Sequence, residues 1–139
     1  MPAIWNFGFR AITFAALFHK TTNMKATRNL IVDTSFKFAL DVIEFTDRLE
    51  ENRKYTIARQ LLKSGTSIGA NVFEAQSPES KSDFIHKLKI ASKEASETEY
   101  WLLLCKHSPS LPDPGSLIGE VTAIQKILGR IISTSRSRL

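Results

Sequence analysis

From about residue 33 onward, apolar side chains recur every third or fourth position in four separate runs, the period of one helix face and not of a strand. In the first run, at about 33–51, they fall on two stripes. Phe38, Val42, Phe45 and Leu49 form one. Phe36, Leu40 and Ile43 form another, about 200° away at about 100° per residue. Lys37, Asp41, Glu44 and Arg48 fill one flank between them. A helix in a monomeric bundle needs a single apolar stripe. The second stripe predicts a further partner surface, unless one broad core face covers both. Asp33, Thr34 and Ser35 each offer an oxygen to cap this helix.

The second helix is expected from Asn52 or Arg53 to Ala75, with Ile57, Leu61, Ile68 and Val72 on its apolar side. Its centre, Ser64-Gly65-Thr66-Ser67-Ile68-Gly69-Ala70, is rich in small residues. Each mid-helix glycine costs about 1 kcal/mol against alanine, so Gly65 and Gly69, four apart on one face, predict a close backbone approach. A third helix is predicted from Ser77-Pro78, a cap followed by a first-turn proline, to about Lys106. Phe84, Leu88, Ala91, Ala95, Thr98, Leu102 and Cys105 make its seam, and Ala91 and Ala95 are expected to face the glycines. The loop His107–Gly115 holds three prolines, and Asp113-Pro114 reads as the start of a fourth helix with Leu117, Val121, Ile124, Leu128 and Ile131 as its seam. The polar, basic residues 133–139 are expected to fray. Two short connections and one longer one predict an all-α, antiparallel up-down-up-down four-helix bundle over residues 24–139, a size that can bury its own core.

Residues 1–23, MPAIWNFGFRAITFAALFHKTTN, have a different character: aromatic, without acids, and ending at a second methionine, Met24. A secretory signal is disfavoured by Arg10 within the apolar run and by the absence of a clear cleavage site. A membrane-surface helix is a second reading. The favoured reading is an N-terminal extension from a mis-assigned start, with Met24 as the natural first residue, and disorder if the segment is present. The apolar run is too short and interrupted to span a bilayer, so no membrane partner is expected.

The composition, 42% hydrophobic and 24% charged, is that of an ordinary globular chain. The single cysteine, Cys105, cannot form an intrachain disulfide, which fits a reducing, cytoplasmic setting. His107, two residues away, does not share its helix face, so a catalytic thiol is not expected. The formal charge is +5, unevenly spread. Residues 29–51 carry two basic and six acidic side chains, whereas residues 53–75 carry four basic and one acidic. Opposite signs on the first two helices favour pairing between neighbours, within or between subunits, over a simple nucleic-acid stripe.

Catalytic chemistry finds little support. A diiron bundle needs two Glu-x-x-His motifs; this chain has none, and one Asp83-x-x-His86 at a helix start. Gly65 and Gly69 are not followed by the Lys-Ser/Thr of a phosphate loop. The letters Gly-x-Ser-x-Gly at residues 65–69 have no strand before them. No cofactor, metal or small-molecule substrate is inferred. Ser64, Ser67, Asn71, Glu74, Glu94 and Glu97 are candidates for a polar network between helices or subunits, with Arg59 and Lys93 available as counter-charges. Arg59 and Lys63, like Lys89 and Lys93, are like-charge pairs four apart. They mildly destabilise an isolated helix, and together they could hold phosphates; a solvated face opposed by a neighbour's acids is the competing account. Tyr100 and Trp101 are expected to anchor packing, and with Phe36, Leu40 and Ile43 are candidates for an oligomer interface.

The stretch from Arg59 to Leu104 carries three dense motifs: Ser64-Gly65-x-Ser67-Ile68-Gly69-Ala70-Asn71, Asp83-Phe84-Ile85-x-Lys87-Leu88, and Glu94-Ala95-x-Glu97-Thr98-x-Tyr100-Trp101-Leu102. With FKFALDVIEF upstream, they closely resemble the bacterial four-helix bundle family of 23S rRNA intervening-sequence proteins, itself similar to the accessory protein of diversity-generating retroelements. The resemblance covers nearly all of residues 24–132. It implies a left-handed up-down bundle, a ring-like homopentamer, no enzyme and no cofactor, and a role in binding RNA or DNA through basic residues of the ring. Residues 1–23 depart from the family pattern. The expectation is a non-catalytic homo-oligomer that binds nucleic acid; the alternative is a protein-interaction scaffold without nucleic-acid affinity.

Overall fold

The computed structural model describes residues 29–138; the expectations for residues 1–23 lie outside them. Four helices follow one another: α1 (Leu30–Glu51), α2 (Tyr55–Glu74), α3 (Lys81–His107) and α4 (Leu117–Ser137). Each packs on its sequence neighbour, and α1 also packs on α4, while α1 and α3, like α2 and α4, lie diagonally across the core. The short connections make neighbours antiparallel, so the expected all-α up-down-up-down bundle is the observed fold.

The apolar seams assemble one core. Phe38, Val42, Phe45 and Leu49 of α1 meet Leu61, Ile68 and Val72 of α2, Leu88, Ala91, Ala95 and Leu102 of α3, and Val121, Ile124 and Leu128 of α4. Among the described residues, no buried side-chain nitrogen or oxygen lacks a hydrogen-bond partner. The buried hydroxyls of Ser35 and Thr46 donate to carbonyls three residues back, those of Val32 and Ile43.

The helix boundaries correct the sequence reading in several places. α1 starts three residues early, because the Asn29 carbonyl accepts from Val32 N and Asp33 N. The hydroxyls expected to cap it sit inside the helix, Thr34 donating to the Leu30 carbonyl at 2.6 Å. α3 is capped by Ser80, whose Oγ accepts from Asp83 N at 3.0 Å, and Ser77-Pro78 lies in the preceding turn. The Asp83 carboxylate in turn accepts from Glu79 N at 3.1 Å, a variant of the reciprocal capping box. Asp113 does not cap α4; its Oδ1 accepts from Gly115 N at 2.7 Å, closing a turn in which Gly115 takes a positive φ of 56°. The C-terminal residues expected to fray continue α4 to Ser137.

The turn between α1 and α2 ends α1 in a left-handed cap. Arg53 has φ 59°, its N–H donates to Glu50 O at 2.8 Å, and Lys54 N donates to Leu49 O at 2.9 Å. This is the paired bonding of a Schellman motif, in which glycine is the usual left-handed residue. A side chain there costs about 1–2 kcal/mol. Arg53→Gly is therefore expected to raise stability by about 1 kcal/mol once the extra freedom glycine gives the unfolded chain is set against it, measurable as a shift in the urea midpoint.

The two glycines of α2 open toward α1, not toward Ala91 and Ala95. A Cβ on Gly65 would stand 2.8 Å from Val42 Cγ1, and one on Gly69 would stand 3.2 Å from the Ser35 carbonyl oxygen. These contacts fix the antiparallel register of the pair, with residue 65 opposite 42 and residue 69 opposite 35. The approach of α3 to α2 is marked instead by a buried hydroxyl pair. Thr98 Oγ1 donates to Ser64 Oγ at 2.9 Å, and the Glu94 carbonyl, 2.7 Å away, competes for its single proton.

Candidate self-association and nucleic-acid surfaces

The second stripe of α1 lies outside the core. Phe38 is 1% exposed, whereas Leu40 is 51% exposed and Phe36 and Ile43 are about two-fifths exposed. So the two stripes face different environments, and a single broad core face does not cover both. The stripe continues onto α2 through two residues the sequence reading missed. Leu62 and Phe73 are exposed, Phe73 at 63%. Residues 62, 66, 69 and 73 follow the spacing i, i+4, i+7, i+11, which is one helical stripe, and Gly69 places that stripe on the α1 side. By the register above, Leu62 is about level with Ile43, and Phe73 lies about one turn beyond Phe36. The result is one apolar face across the α1–α2 pair. Its signal was the same heptad spacing, concealed because Leu62 and Phe73 each follow a core residue.

Tyr100 and Trp101 do not join that face. They lie on α3, diagonal to α1. Tyr100 is 55% exposed and Trp101 is half-buried. Their rings meet edge to face, 5.1 Å between centroids at 68°, and Trp101 Nε1 donates to Glu97 Oε1 at 3.3 Å. The five interface candidates thus divide between two surfaces.

Arg59 and Lys63 on α2 and Lys89 and Lys93 on α3 are all exposed. Among the described residues none of the four forms an ion pair, whereas Lys37 pairs with Asp41 and Glu120, and Lys87 with Glu74 at 2.8 Å. The Glu74 carboxylate holds the Lys87 ammonium above its ordinary pKa, as Asp41 does for Lys37. The contacts Thr98–Ser64 and Lys87–Glu74 set residue 63 about level with residue 99. The two basic pairs are therefore staggered, with Lys63 and Lys93 about 9 Å apart along the axis, and do not converge on one spot.

The expected polar network is smaller than the sequence suggested. Ser64 reaches α3 through Thr98, and Glu74 reaches it through Lys87. The other side chains act within their own helices: Ser67 donates to the Lys63 carbonyl, Asn71 to the Ser67 carbonyl, and Glu97 accepts from Trp101. Glu94 and Glu97 form no ion pair among the described residues. Gln125 Nε2 to Glu99 Oε2, 2.9 Å, supplies an α3–α4 tie that the sequence reading did not include.

Nothing among the described residues resembles a reaction centre. Among the described residues, no group of three or more His, Cys, Asp or Glu could hold a metal ion. Asp83 is occupied in the cap of α3, and His86 stands exposed one turn further on. Residues 65–69 lie mid-helix, so they form no nucleophile turn. Burial pushes the Cys105 thiol up to about 11, leaving it protonated and unreactive near neutral pH. No described helix is long and apolar enough to cross a membrane.

A four-helix bundle with an apolar outer face and exposed surface cations defines a class by fold alone. The family follows from comparison: the model of the 23S rRNA-intervening sequence protein family matches residues 27–130, and the chain belongs to that family. A crystal structure of a protein with unknown function, from the S23 ribosomal protein family of Bacteroides thetaiotaomicron, is similar at 41% identity and a TM-score of 0.70. The match covers 73% of this chain and 97% of that one. No curated protein matches this chain.

Proposed function

We propose that the protein is a non-catalytic homo-oligomer, a pentameric ring in the family manner, that binds RNA or DNA through phosphate contacts from Arg59, Lys63, Lys89 and Lys93. The observation that carries the nucleic-acid part is that these four cations are exposed and take no carboxylate among the described residues, whereas Lys37 and Lys87 do. The competing account, in which surface acids neutralise them, loses its support inside the subunit. The self-association part rests on the apolar face of Leu40, Ile43, Leu62 and Phe73, since contiguous exposed apolar surface on a small domain marks an interaction site. Opposite net charge on α1 and α2 favours a like chain as partner. A reducing, cytoplasmic setting goes with this reading, because Cys105 is a free buried thiol.

Phosphate contacts release counterions, so affinity falls as salt rises, with a log–log slope of about −0.7 to −0.9 per contact. Lys89→Gln/Lys93→Gln is expected to weaken binding to any sequence and to flatten that slope by about 1.4–1.8. Titration of labelled RNA across a salt series checks this. Affinity independent of salt, or unaltered in the double variant, would overturn the phosphate contacts, and no binding at any salt would favour the scaffold account.

A further inference from the structure

The outer face of α3 carries more than its lysines. His86, Lys89, Lys93, Tyr100 and His107 recur at spacings of three, four or seven residues, so they line one face of the helix. All five are exposed. Lys93 and Tyr100 are two turns apart, about 10 Å along the axis. The Tyr100 ring is not loose: Trp101 stands against it edge to face, and Trp101 is itself held by Glu97 and half-buried against the core. A large aromatic surface, braced from one side, open to solvent and in line with two unpaired lysines, has the parts of a single-strand site: cations that track a backbone and a ring on which a base can stack. A duplex keeps its bases inside and could use only the lysines.

Resting on the nucleic-acid reading above, we infer that α3 selects single-stranded over double-stranded nucleic acid, with Tyr100 as the base-stacking platform beside the phosphate-binding Lys89 and Lys93. Glu97 flanks this face, where its carboxylate accepts from the Trp101 indole. The alternative use of Tyr100, as an anchor between subunits, makes a different prediction. It would make Tyr100 matter for oligomer mass and not for strand preference.

The test uses the full chain and short unstructured RNA and DNA strands, each with its matching duplex, at one low salt concentration. Tyr100→Ala is expected to weaken single-strand binding about 10- to 100-fold, to leave duplex binding unchanged, and to leave the solution mass unchanged. Tyr100→Phe is expected to bind as the parent does. Tyr100→Leu, apolar but without a stacking face, is expected to fall with the alanine variant. Unchanged single-strand binding in Tyr100→Ala, with Lys89→Gln/Lys93→Gln still weakened, would overturn the stacking inference and leave the phosphate reading intact. So would retention by Tyr100→Leu, or a lower oligomer mass in Tyr100→Ala. Absence of binding to any strand or duplex by the parent would overturn both.

Discussion

Phe38→Ala is expected to lower the unfolding free energy by about 3–5 kcal/mol. The ring sits at the centre of α1, 1% exposed, in the core shared by all four helices. Removing it forfeits its transfer free energy and leaves a void that the surrounding branched residues close only in part. Domains of this size are commonly stable by about 5–15 kcal/mol, so the loss is a large share of the total. Two residues along the same helix, Leu40→Ala should change the stability of the folded subunit by no more than about 0.5 kcal/mol, because Leu40 is half in water already. Its effect should appear in assembly, as a dissociation midpoint at higher protein concentration. Chemical denaturation followed at several protein concentrations separates the two, since only an assembly contribution depends on concentration. Equal losses from the two variants would mean that both stripes belong to one core.

Gly65→Ala carries the second large effect, and its sign depends on which of two terms is larger. Alanine improves the helix by about 1 kcal/mol over glycine. The added methyl would meet Val42 Cγ1 at 2.8 Å and Cγ2 at 3.0 Å. Val42 is fully buried, and a β-branched side chain in a helix has one strongly preferred rotamer, so it cannot turn aside. Overpacking of this kind costs about 1–3 kcal/mol, and the net result is a loss, with α1 and α2 pushed apart. Gly129→Ala is the control: nothing lies within 4 Å of its added Cβ, so the helix term stands alone and stability should rise. Val42→Ala in the Gly65→Ala background should recover part of the loss. If Gly65→Ala were as stabilising as Gly129→Ala, the close α1–α2 approach would be wrong.

What the sequence made visible, and what it hid, follows from how local each signal is. The apolar period is local, and the two-stripe pattern of α1 separates Phe38, which is buried, from Leu40, which is exposed. Capping is less local. Thr34 and Ser35 had the chemistry of caps, but their hydroxyls bond carbonyls within the helix, and the first turn is set by the Asn29 carbonyl. The partner of a face is not local at all. That Gly65 and Gly69 share a face follows from spacing; that α1 fills it depends on how four helices pack around a core. The polar candidates show the same limit. Ser67 and Asn71 sit at positions where an inter-helix bond was plausible, yet short polar side chains readily bond the carbonyl four residues back, and both do. Composition marked the basic pairs, while their stagger and their lack of carboxylate partners came only with the register between α2 and α3.

The central claim is that this bundle self-associates and carries nucleic acid on its outer cations. Light scattering of the protein, with and without a mixed pool of single- and double-stranded RNA, tests both halves in one measurement. The expected result is an oligomer that gains RNA mass at low salt and sheds it at high salt. A monomer at all concentrations would contradict the reading of the α1–α2 apolar face, and an oligomer whose mass ignores RNA at low salt would contradict the nucleic-acid reading.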